Sequence, residues 1–175
     1  MPRVVKPPAE IELPDAVRIV RTHPELKSLA KARHRAVLIQ PNSADRGQPE
    51  GADQMVVGLY DYETNRSLIA LVDLKQEKVV AFEETKAQFQ LSDEERKEAE
   101  ALAAQDPRVK VFLGKQPMNP LTRLYFPPEA ARDRVPHRYA IVFLRPNSAE
   151  RHYAVVNLSE RRVADVLTQR DLTGR

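Results

Sequence analysis

The feature that most constrains the fold of this chain is an internal repeat. When the sequence is shifted along itself, an apolar run interrupted by a proline coincides with a second such run: Ala16, Ile19, Val20, Pro24, Leu26 and Leu29 fall on Ala99, Leu102, Ala103, Pro107, Val109 and Phe112. At nearly the same shift, Val72, Leu74 and Val79 fall on Val156, Leu158 and Val163. Such a repeat indicates one folding unit that occurs twice in tandem. We expect a flexible leader at residues 1–10, a first unit at residues 11–88 and a second unit at residues 89–175.

The segment Ser67–Glu84 has the pattern of a β-hairpin. Runs rich in β-branched and apolar residues flank the polar turn Lys75–Glu77, and such runs favour extended strands. A helix is predicted to follow, because Ser92 can cap its first turn and Glu95 can complete a capping box. Asp106 and the proline after it predict that this helix ends and another begins.

The rest of the first copy predicts the same combination of elements. A broken helix is expected from Pro14 onwards, followed by strands at Arg35–Gln40 and Met55–Tyr62 and a turn at Glu63–Arg66. The segment Arg46–Asp53 is expected to be an exposed, mobile loop. The predicted fold class is therefore α+β, with a helix packed on the concave face of a curved antiparallel β-sheet in each unit.

Composition indicates a soluble globular protein and disfavours several kinds of partner. The 28 basic and 25 acidic residues leave a net charge of +3, which is too small an imbalance to favour nucleic acid. Cysteine is absent, which excludes disulfides and thiolate metal sites and fits a reducing compartment. No run resembles a signal peptide or reaches the roughly 20 apolar residues of a membrane span. We expect a cytoplasmic protein without a membrane partner.

No motif in the sequence predicts catalysis, a cofactor or a metal site. The four histidines lack ligand spacings such as His-x-x-x-His, so copper is not an expected partner. Glycine-rich nucleotide-binding motifs and Gly-x-Ser-x-Gly are absent. The carboxylates of Asp93, Glu94 and Glu95 are expected to form a solvated face of a first helical turn, where they favour the positive end of the helix dipole. We expect a non-catalytic protein.

Two nearly identical segments are candidates for an interaction surface. Pro-Asn-Ser-Ala-Asp-Arg and Pro-Asn-Ser-Ala-Glu-Arg occur once in each copy, and we equate them as corresponding turns. Because Asn and Ser readily bond to their own backbone, a structural turn is the default interpretation. A paired binding surface is the alternative, since loops on rigid scaffolds often carry function. The residues concerned are Asn42, Ser43 and Arg46 in the first segment and Asn147, Ser148 and Arg151 in the second.

The segment Leu121–Pro128 is apolar and contains Tyr125 and Phe126. If the two Pro-Asn-Ser turns correspond, this segment lies in the connection between a helix and a strand. That connection is then longer in the second copy than in the first. If the segment does not fold back on the second core, it is a docking patch, because aromatic side chains often anchor interfaces.

Arginine is concentrated in the last third of the chain. Without interleaved glycine and aromatic residues, this is weak evidence for contact with RNA or DNA. A solvated surface or an acidic protein partner fits it better. The residues are Arg132, Arg134, Arg138, Arg145, Arg151, Arg161, Arg162, Arg170 and Arg175.

Taken in order, several motifs resemble the small N-terminal domains of copper amine oxidases, called N2 and N3. They are Leu59–Arg66 with Leu71–Val80, then Leu91–Glu95, Glu98–Glu100 and Asp106–Val109, and last Arg138–Phe143 and Tyr153–Leu158. The resemblance covers about Pro14 to Val166 and implies two tandem cystatin-like units. In that family, the tyrosine-derived quinone and the three histidine copper ligands belong to a large C-terminal domain, and no Tyr or His here matches those positions. The resemblance therefore implies an interaction module without oxidase activity.

The sequence thus predicts a protein-interaction or assembly module that associates with itself or with another protein. One alternative is a fragment or divergent member of a copper- and quinone-dependent primary amine oxidase. Another is a binder of a small ligand or of nucleic acid. Copper loading would separate the first alternative from the interaction module, and affinity that falls steeply with added salt would indicate phosphate contacts.

Overall fold

The computed structural model describes residues 13–26, 33–42, 53–114, 118–128, 137–144 and 151–173. It has the α+β class predicted from the sequence, with two antiparallel four-stranded sheets. The chain divides into two compact units, one formed by residues up to Asp61 with Ser67–Thr85 and the other by Tyr62–Arg66 with Lys86–Arg175. The expected leader and most of the predicted loop Arg46–Asp53 lie outside the described residues.

The first sheet is a meander in which neighbours in the chain are neighbours in space. Its elements are helix α1 (Leu13–Thr22), a short 3₁₀ helix (Pro24–Leu26) and strands β1 (His34–Pro41), β2 (Gln54–Asp61), β3 (Arg66–Asp73) and β4 (Lys78–Thr85). The strand order is β1-β2-β3-β4, and a β-bulge interrupts the pairing of β1 with β2 between Ala36 and Leu38. This arrangement leaves β1 and β4 at the edges of the sheet.

The core of the first unit lies between α1 and one face of the first sheet. Ala16, Ile19 and Val20 form the buried stripe of α1 that their helical spacing predicted. Because successive side chains of a strand point to opposite faces, alternate residues of two strands join this cluster: Met55, Val57 and Leu59 of β2, and Leu68, Ala70 and Val72 of β3.

The second sheet is a meander with the strand order β5-β6-β7-β8. The elements of this unit are helices α2 (Asp93–Gln105) and α3 (Pro107–Leu113), strands β5 (Leu121–Tyr125), β6 (Tyr139–Phe143), β7 (His152–Asn157) and β8 (Arg162–Thr168), and the short helix α4 (Gln169–Thr173). Helix α2 lies against all four strands and buries Ala99 and Ala103.

The predicted helix signals are confirmed. Ser92 is the N-cap of α2 and accepts a hydrogen bond from the Glu95 backbone N–H at 3.2 Å. The Glu95 carboxylate accepts one from the Ser92 backbone N–H at 2.9 Å, which completes the capping box. Asp106 ends α2 and caps α3, accepting from the backbone N–H of Arg108 at 2.8 Å. Helix α3 ends at Gly114, whose φ of 56° suits a residue without Cβ.

The repeat appears in the two hairpins that end the units. The β3–β4 pairing has a register shift between Leu71 and Val72, and the β7–β8 pairing has one between Val155 and Val156. The connecting turns contain Glu77 with φ of 47° and Arg161 with φ of 57°, both left-handed. Val72 and Val156 coincide under the shift that defined the repeat, so the local geometry recurs together with the apolar pattern.

Two expectations about the second copy are wrong. Leu121–Tyr125 is not part of a long connection, because it forms β5 and pairs with β6 along its whole length. The two Pro-Asn-Ser segments do not occupy corresponding turns either. The first follows β1, the first strand of its sheet, whereas the second follows β6, the second strand of its own. The near-identity of the two segments is therefore not a product of the repeat.

Candidate functional site

Strand β5 presents Tyr125 and Phe126 at its carboxyl end. Tyr125 is the last residue of the strand, is half-buried and pairs with Tyr139 of β6. Phe126 follows immediately and is 59% exposed, which makes it one of the most exposed large apolar side chains in the described part of the chain. The docking-patch residues therefore lie at one corner of the second sheet.

Tyr125 belongs to the sheet face that points away from α2. The Thr122 hydroxyl donates to the Glu100 carboxylate of α2 at 2.7 Å, so Thr122 faces the helix. Alternation along the strand then places Tyr125 on the other face. Its cross-strand partner Tyr139 shares that face, as do Val155 and Asp165, which pair with each other between β7 and β8.

This outer face bears a pocket of about 310 Å³. Its lining is mostly apolar or aromatic and includes two aspartates. The lining residues are Tyr125, Pro127, Pro128, Tyr139, Val155, Ala164, Asp165, Leu167, Asp171 and Leu172. All of them belong to the second unit, so the pocket is formed by one sheet face, the proline pair after β5 and helix α4.

Local hydrogen bonds hold both carboxylates of the pocket. Asp171 accepts from the backbone N–H and the hydroxyl of Thr168, at 2.6 and 2.7 Å. These bonds favour the charged form and lower the pKa of Asp171. Asp165 accepts from the backbone N–H of Val166 at 2.8 Å. Arg108 interacts electrostatically with Asp165, but its guanidinium is bonded to Asp106 at 2.9 Å and to a backbone carbonyl.

A buried ion pair lies elsewhere in the second unit. Glu95 and Arg138 are both 0% exposed. Arg138 Nε donates to Glu95 Oε1 at 2.5 Å, and Nη2 donates to Oε2 at 2.8 Å, so the pair is bidentate. The Tyr62 hydroxyl donates to Oε1 at 2.5 Å. The Arg138 guanidinium also donates to two backbone carbonyls, those of Phe89 and Gln90, each at 3.0 Å.

This arrangement keeps the Glu95 carboxylate charged. Burial by itself raises the pKa of Glu95, but the hydrogen bond and positive charge of Arg138 oppose this effect. Together with the donors of Tyr62 and Ser92, they hold the pKa below its ordinary value. The prediction of a solvated acidic face is therefore wrong for Glu95, although Asp93 and Glu94 are exposed. Arg138 likewise is not part of a solvated basic surface.

The backbone of Arg138 is hydrogen-bonded to the turn between β7 and β8. Its N–H donates to the Ser159 hydroxyl at 3.1 Å, and its carbonyl accepts from the Leu158 N–H at 2.8 Å. The Ser159 hydroxyl donates in turn to Asn65 Oδ1 at 2.5 Å. Since Arg138 begins the segment leading into β6, these bonds make the ion pair a fixed part of the second core.

The two Pro-Asn-Ser segments are only partly described. Asn42 donates through its backbone N–H to the Gln54 carbonyl and through Nδ2 to the Gln54 side chain, both at 3.0 Å. Arg151 is exposed immediately before β7. The other members of the predicted surface lie outside the described residues, namely Ser43, Arg46, Asn147 and Ser148.

Each histidine of the described chain has an ordinary local contact. His34 Nε2 accepts from Arg21 Nε at 3.1 Å, the ring of His23 packs edge-on against Phe82, and His152 stacks on Phe112. His137 Nδ1 lies 3.0 Å from Asn157 Nδ2. Within the described residues, no three side chains from His, Asp and Glu are grouped so that they could hold a metal ion.

Sequence reasoning missed Glu95–Arg138 as a pair and Asp165 and Asp171 as pocket residues. Glu95 and Arg138 are far apart in the sequence, and only the fold joins them. The sequence indicates the pocket carboxylates only weakly, through the position of Asp165 in an otherwise apolar strand.

None of the described helices is both long and apolar enough to cross a membrane. In comparisons with known protein families and with curated proteins, no family model and no curated sequence matches this chain.

Proposed function

We propose that this chain is a non-catalytic protein-interaction module of two tandem cystatin-like units, of the kind that forms the N2 and N3 domains of copper amine oxidases. The motif order in the sequence supports this relationship. So does the pairing of a helix with an antiparallel four-stranded sheet in each unit.

The observation that carries the interaction role is the corner of the second sheet at Tyr125 and Phe126. Phe126 is 59% exposed and lies in the chain between Tyr125 and Pro127, which both line the pocket. Leu121, at the other end of β5, is 40% exposed. Aromatic anchors next to pockets are typical of residues that contribute most of the binding energy at interfaces.

The occupant that fits this corner is an extended segment of a partner protein. Strand β5 is an edge strand, and in the described part of the chain it pairs only with β6. Edge strands can accept a further strand, whose main chain supplies affinity while alternate side chains supply specificity. A segment added along β5 would pass Leu121 first and reach Phe126 and the pocket at its end.

Selection of binding peptides from a random display library against the purified chain tests this proposal. A selected peptide is then labelled, and its dissociation constant is measured by fluorescence anisotropy. Phe126→Ala should weaken binding by at least tenfold, as expected for an interface anchor worth about 2 kcal/mol. Val111→Ala is the matched control, because Val111 is 80% exposed in the same unit but lies on α3. It should change the affinity less than twofold.

Two results would count against the proposal. The first is a library that yields no peptide above background. The second is a peptide whose affinity is the same for the wild type and Phe126→Ala. Size-exclusion chromatography with light scattering completes the test, because a dimer that persists in Phe126→Ala would place self-association on another surface.

A further inference from the structure

The residues that line the pocket on the outer face of the second sheet indicate the charge of the ligand that it favours. Among the described residues that line it are two carboxylates, Asp165 and Asp171, and no lysine, arginine or histidine. The chain as a whole has a net charge of +3. The pocket is thus locally acidic on a weakly basic protein, which favours a cationic ligand over an anionic one.

A basic group that interacts electrostatically with the pocket, the Arg108 guanidinium, is hydrogen-bonded to other partners. Arg108 interacts with Asp165, but its guanidinium hydrogen-bonds to Asp106 and to the carbonyl of Val163. Asp171 is bonded to Thr168 through one oxygen, Oδ2. Each carboxylate therefore retains lone pairs that can accept from a ligand.

The aromatic walls indicate that the cation is organic. Tyr125 and Tyr139 are cross-strand partners on this face and both line the pocket. The face of a tyrosine ring attracts ammonium and guanidinium groups through its quadrupole. The apolar lining residues Val155, Leu167 and Leu172 suit the alkyl part of such a ligand. A pocket of about 310 Å³ is at the small end of ligand-binding sites.

From this geometry, we propose that the pocket binds a small organic cation, an alkylammonium or alkylguanidinium group, between Tyr125, Tyr139 and the carboxylates of Asp165 and Asp171. The group can belong to a free small molecule or to a lysine or arginine side chain of a docked segment. Both sources present the same chemistry to the pocket, so the site does not depend on the interaction role proposed above.

Titration of the ¹⁵N-labelled full chain with n-butylammonium and with methylguanidinium, followed by NMR at low salt, tests the proposal. The expected result is saturable shifts of the amide signals of Asp165, Leu167 and Asp171 with a dissociation constant in the millimolar range. 1-Butanol has nearly the same shape without the charge and should bind at least fivefold more weakly. Equal binding of 1-butanol and n-butylammonium would overturn the proposal.

Substitutions then separate charge from ring contact. Asp165→Asn and Asp171→Asn should each weaken n-butylammonium binding about two- to fivefold, as expected for exposed charge interactions. Asn at position 171 retains an acceptor for the N–H and the hydroxyl of Thr168. Glu94→Gln is the control, because it removes an exposed carboxylate of α2. A double Asp→Asn variant that binds as tightly as the wild type would refute the role of charge.

The ring contact is tested by Tyr139→Phe and Tyr139→Leu. Phenylalanine keeps the aromatic face and should retain binding, whereas leucine should weaken it about threefold. Equal affinities of the two variants would show that the rings do not contact the cation. Circular dichroism of each variant checks that the fold is retained.

The last comparison separates the two sources of the cation and keeps this proposal distinct from the peptide-binding role. Phe126 does not line the pocket, so Phe126→Ala should leave n-butylammonium affinity unchanged even where it abolishes peptide binding. If selected peptides carry a Lys or Arg whose replacement by norleucine weakens binding at least fivefold, the cation is a side chain. If small cations bind and no peptide is selected, the ligand is a free molecule.

Discussion

Replacing Arg138 by methionine should strongly destabilise the second unit. Methionine fills part of the same space but removes four side-chain hydrogen bonds, two to Glu95 and one each to the carbonyls of Phe89 and Gln90. The Glu95 carboxylate would remain at a site that is 0% exposed, where the described residues that still donate to it are Tyr62 and the backbone of Ser92.

The magnitude follows from that uncompensated charge. Removing one partner of a buried pair costs about 3–5 kcal/mol, because the other charge stays desolvated. This is a large part of the roughly 5–15 kcal/mol that stabilises a typical domain. We therefore expect Arg138→Met to lower the free energy of unfolding of the second unit by about 3–5 kcal/mol.

Urea unfolding, followed through the NMR amide signals of β6 and β7, measures this effect in the second unit by itself. Arg162→Met is the matched control, because the Arg162 side chain is 61% exposed and its guanidinium pairs with Glu160 at 2.6 Å. Exposed pairs contribute about 0–1 kcal/mol, so this variant should behave almost like the wild type. The double variant Glu95→Gln/Arg138→Met should lose less free energy than the sum of the single variants, by about 1–3 kcal/mol.

A loss below about 1 kcal/mol for Arg138→Met would refute the reasoning, because an ion pair of that strength is typical of solvent-exposed groups. Additive single variants would also refute it, since they would show that Glu95 and Arg138 do not interact.

The remaining predictions concern pH, capping and backbone strain. The pKa of Glu95 is lower in the folded state than its ordinary value of 4.5. The stability that Glu95 contributes to folding is therefore present above that value and is lost as the pH falls through the folded pKa. Glu95→Gln should flatten the acid side of the stability curve in urea titrations from pH 6 to pH 2. Ser92→Ala should cost about 1 kcal/mol in thermal unfolding by removing the N-cap of α2, and Ser92→Asp, which keeps an acceptor, should restore most of it. Glu77→Gly should stabilise the first unit by a few tenths to about 1 kcal/mol in urea, because glycine relieves the left-handed φ of 47°; a loss of stability would show that the turn is not strained.

Elements with local signals could be predicted from the sequence. The capping box of Ser92 and Glu95 and the start of α3 at Asp106–Pro107 depend on residues within one helical turn of each other. The hairpin Ser67–Glu84 depends on apolar, β-branched runs on both sides of one polar turn. These features are local because capping and turn formation satisfy backbone groups within a few residues.

The second sheet shows where local signals fail. The interpretation of Leu121–Tyr125 as part of a connection depends on treating the two Pro-Asn-Ser segments as corresponding turns. Only the pairing of this segment with β6, which begins at Tyr139, makes it a strand. The prediction that the two Pro-Asn-Ser segments form corresponding turns is wrong for the same reason. Their sequences are nearly identical, but the first follows one strand of its sheet and the second follows two.

The sequence by itself determined the α+β class, the repeated helix-and-sheet pattern and the helix caps, since these follow from apolar periodicity and from hydrogen bonds between near neighbours. Tertiary structure decided which charges are buried and which face the solvent. Glu95 and Arg138 resemble other helix and strand charges in the sequence, and only the packing of α2 against the second sheet desolvates both. The tertiary structure also brought Tyr125, Tyr139, Asp165 and Asp171 together in one pocket, because strand pairing places residues that are distant in sequence on one face of the sheet.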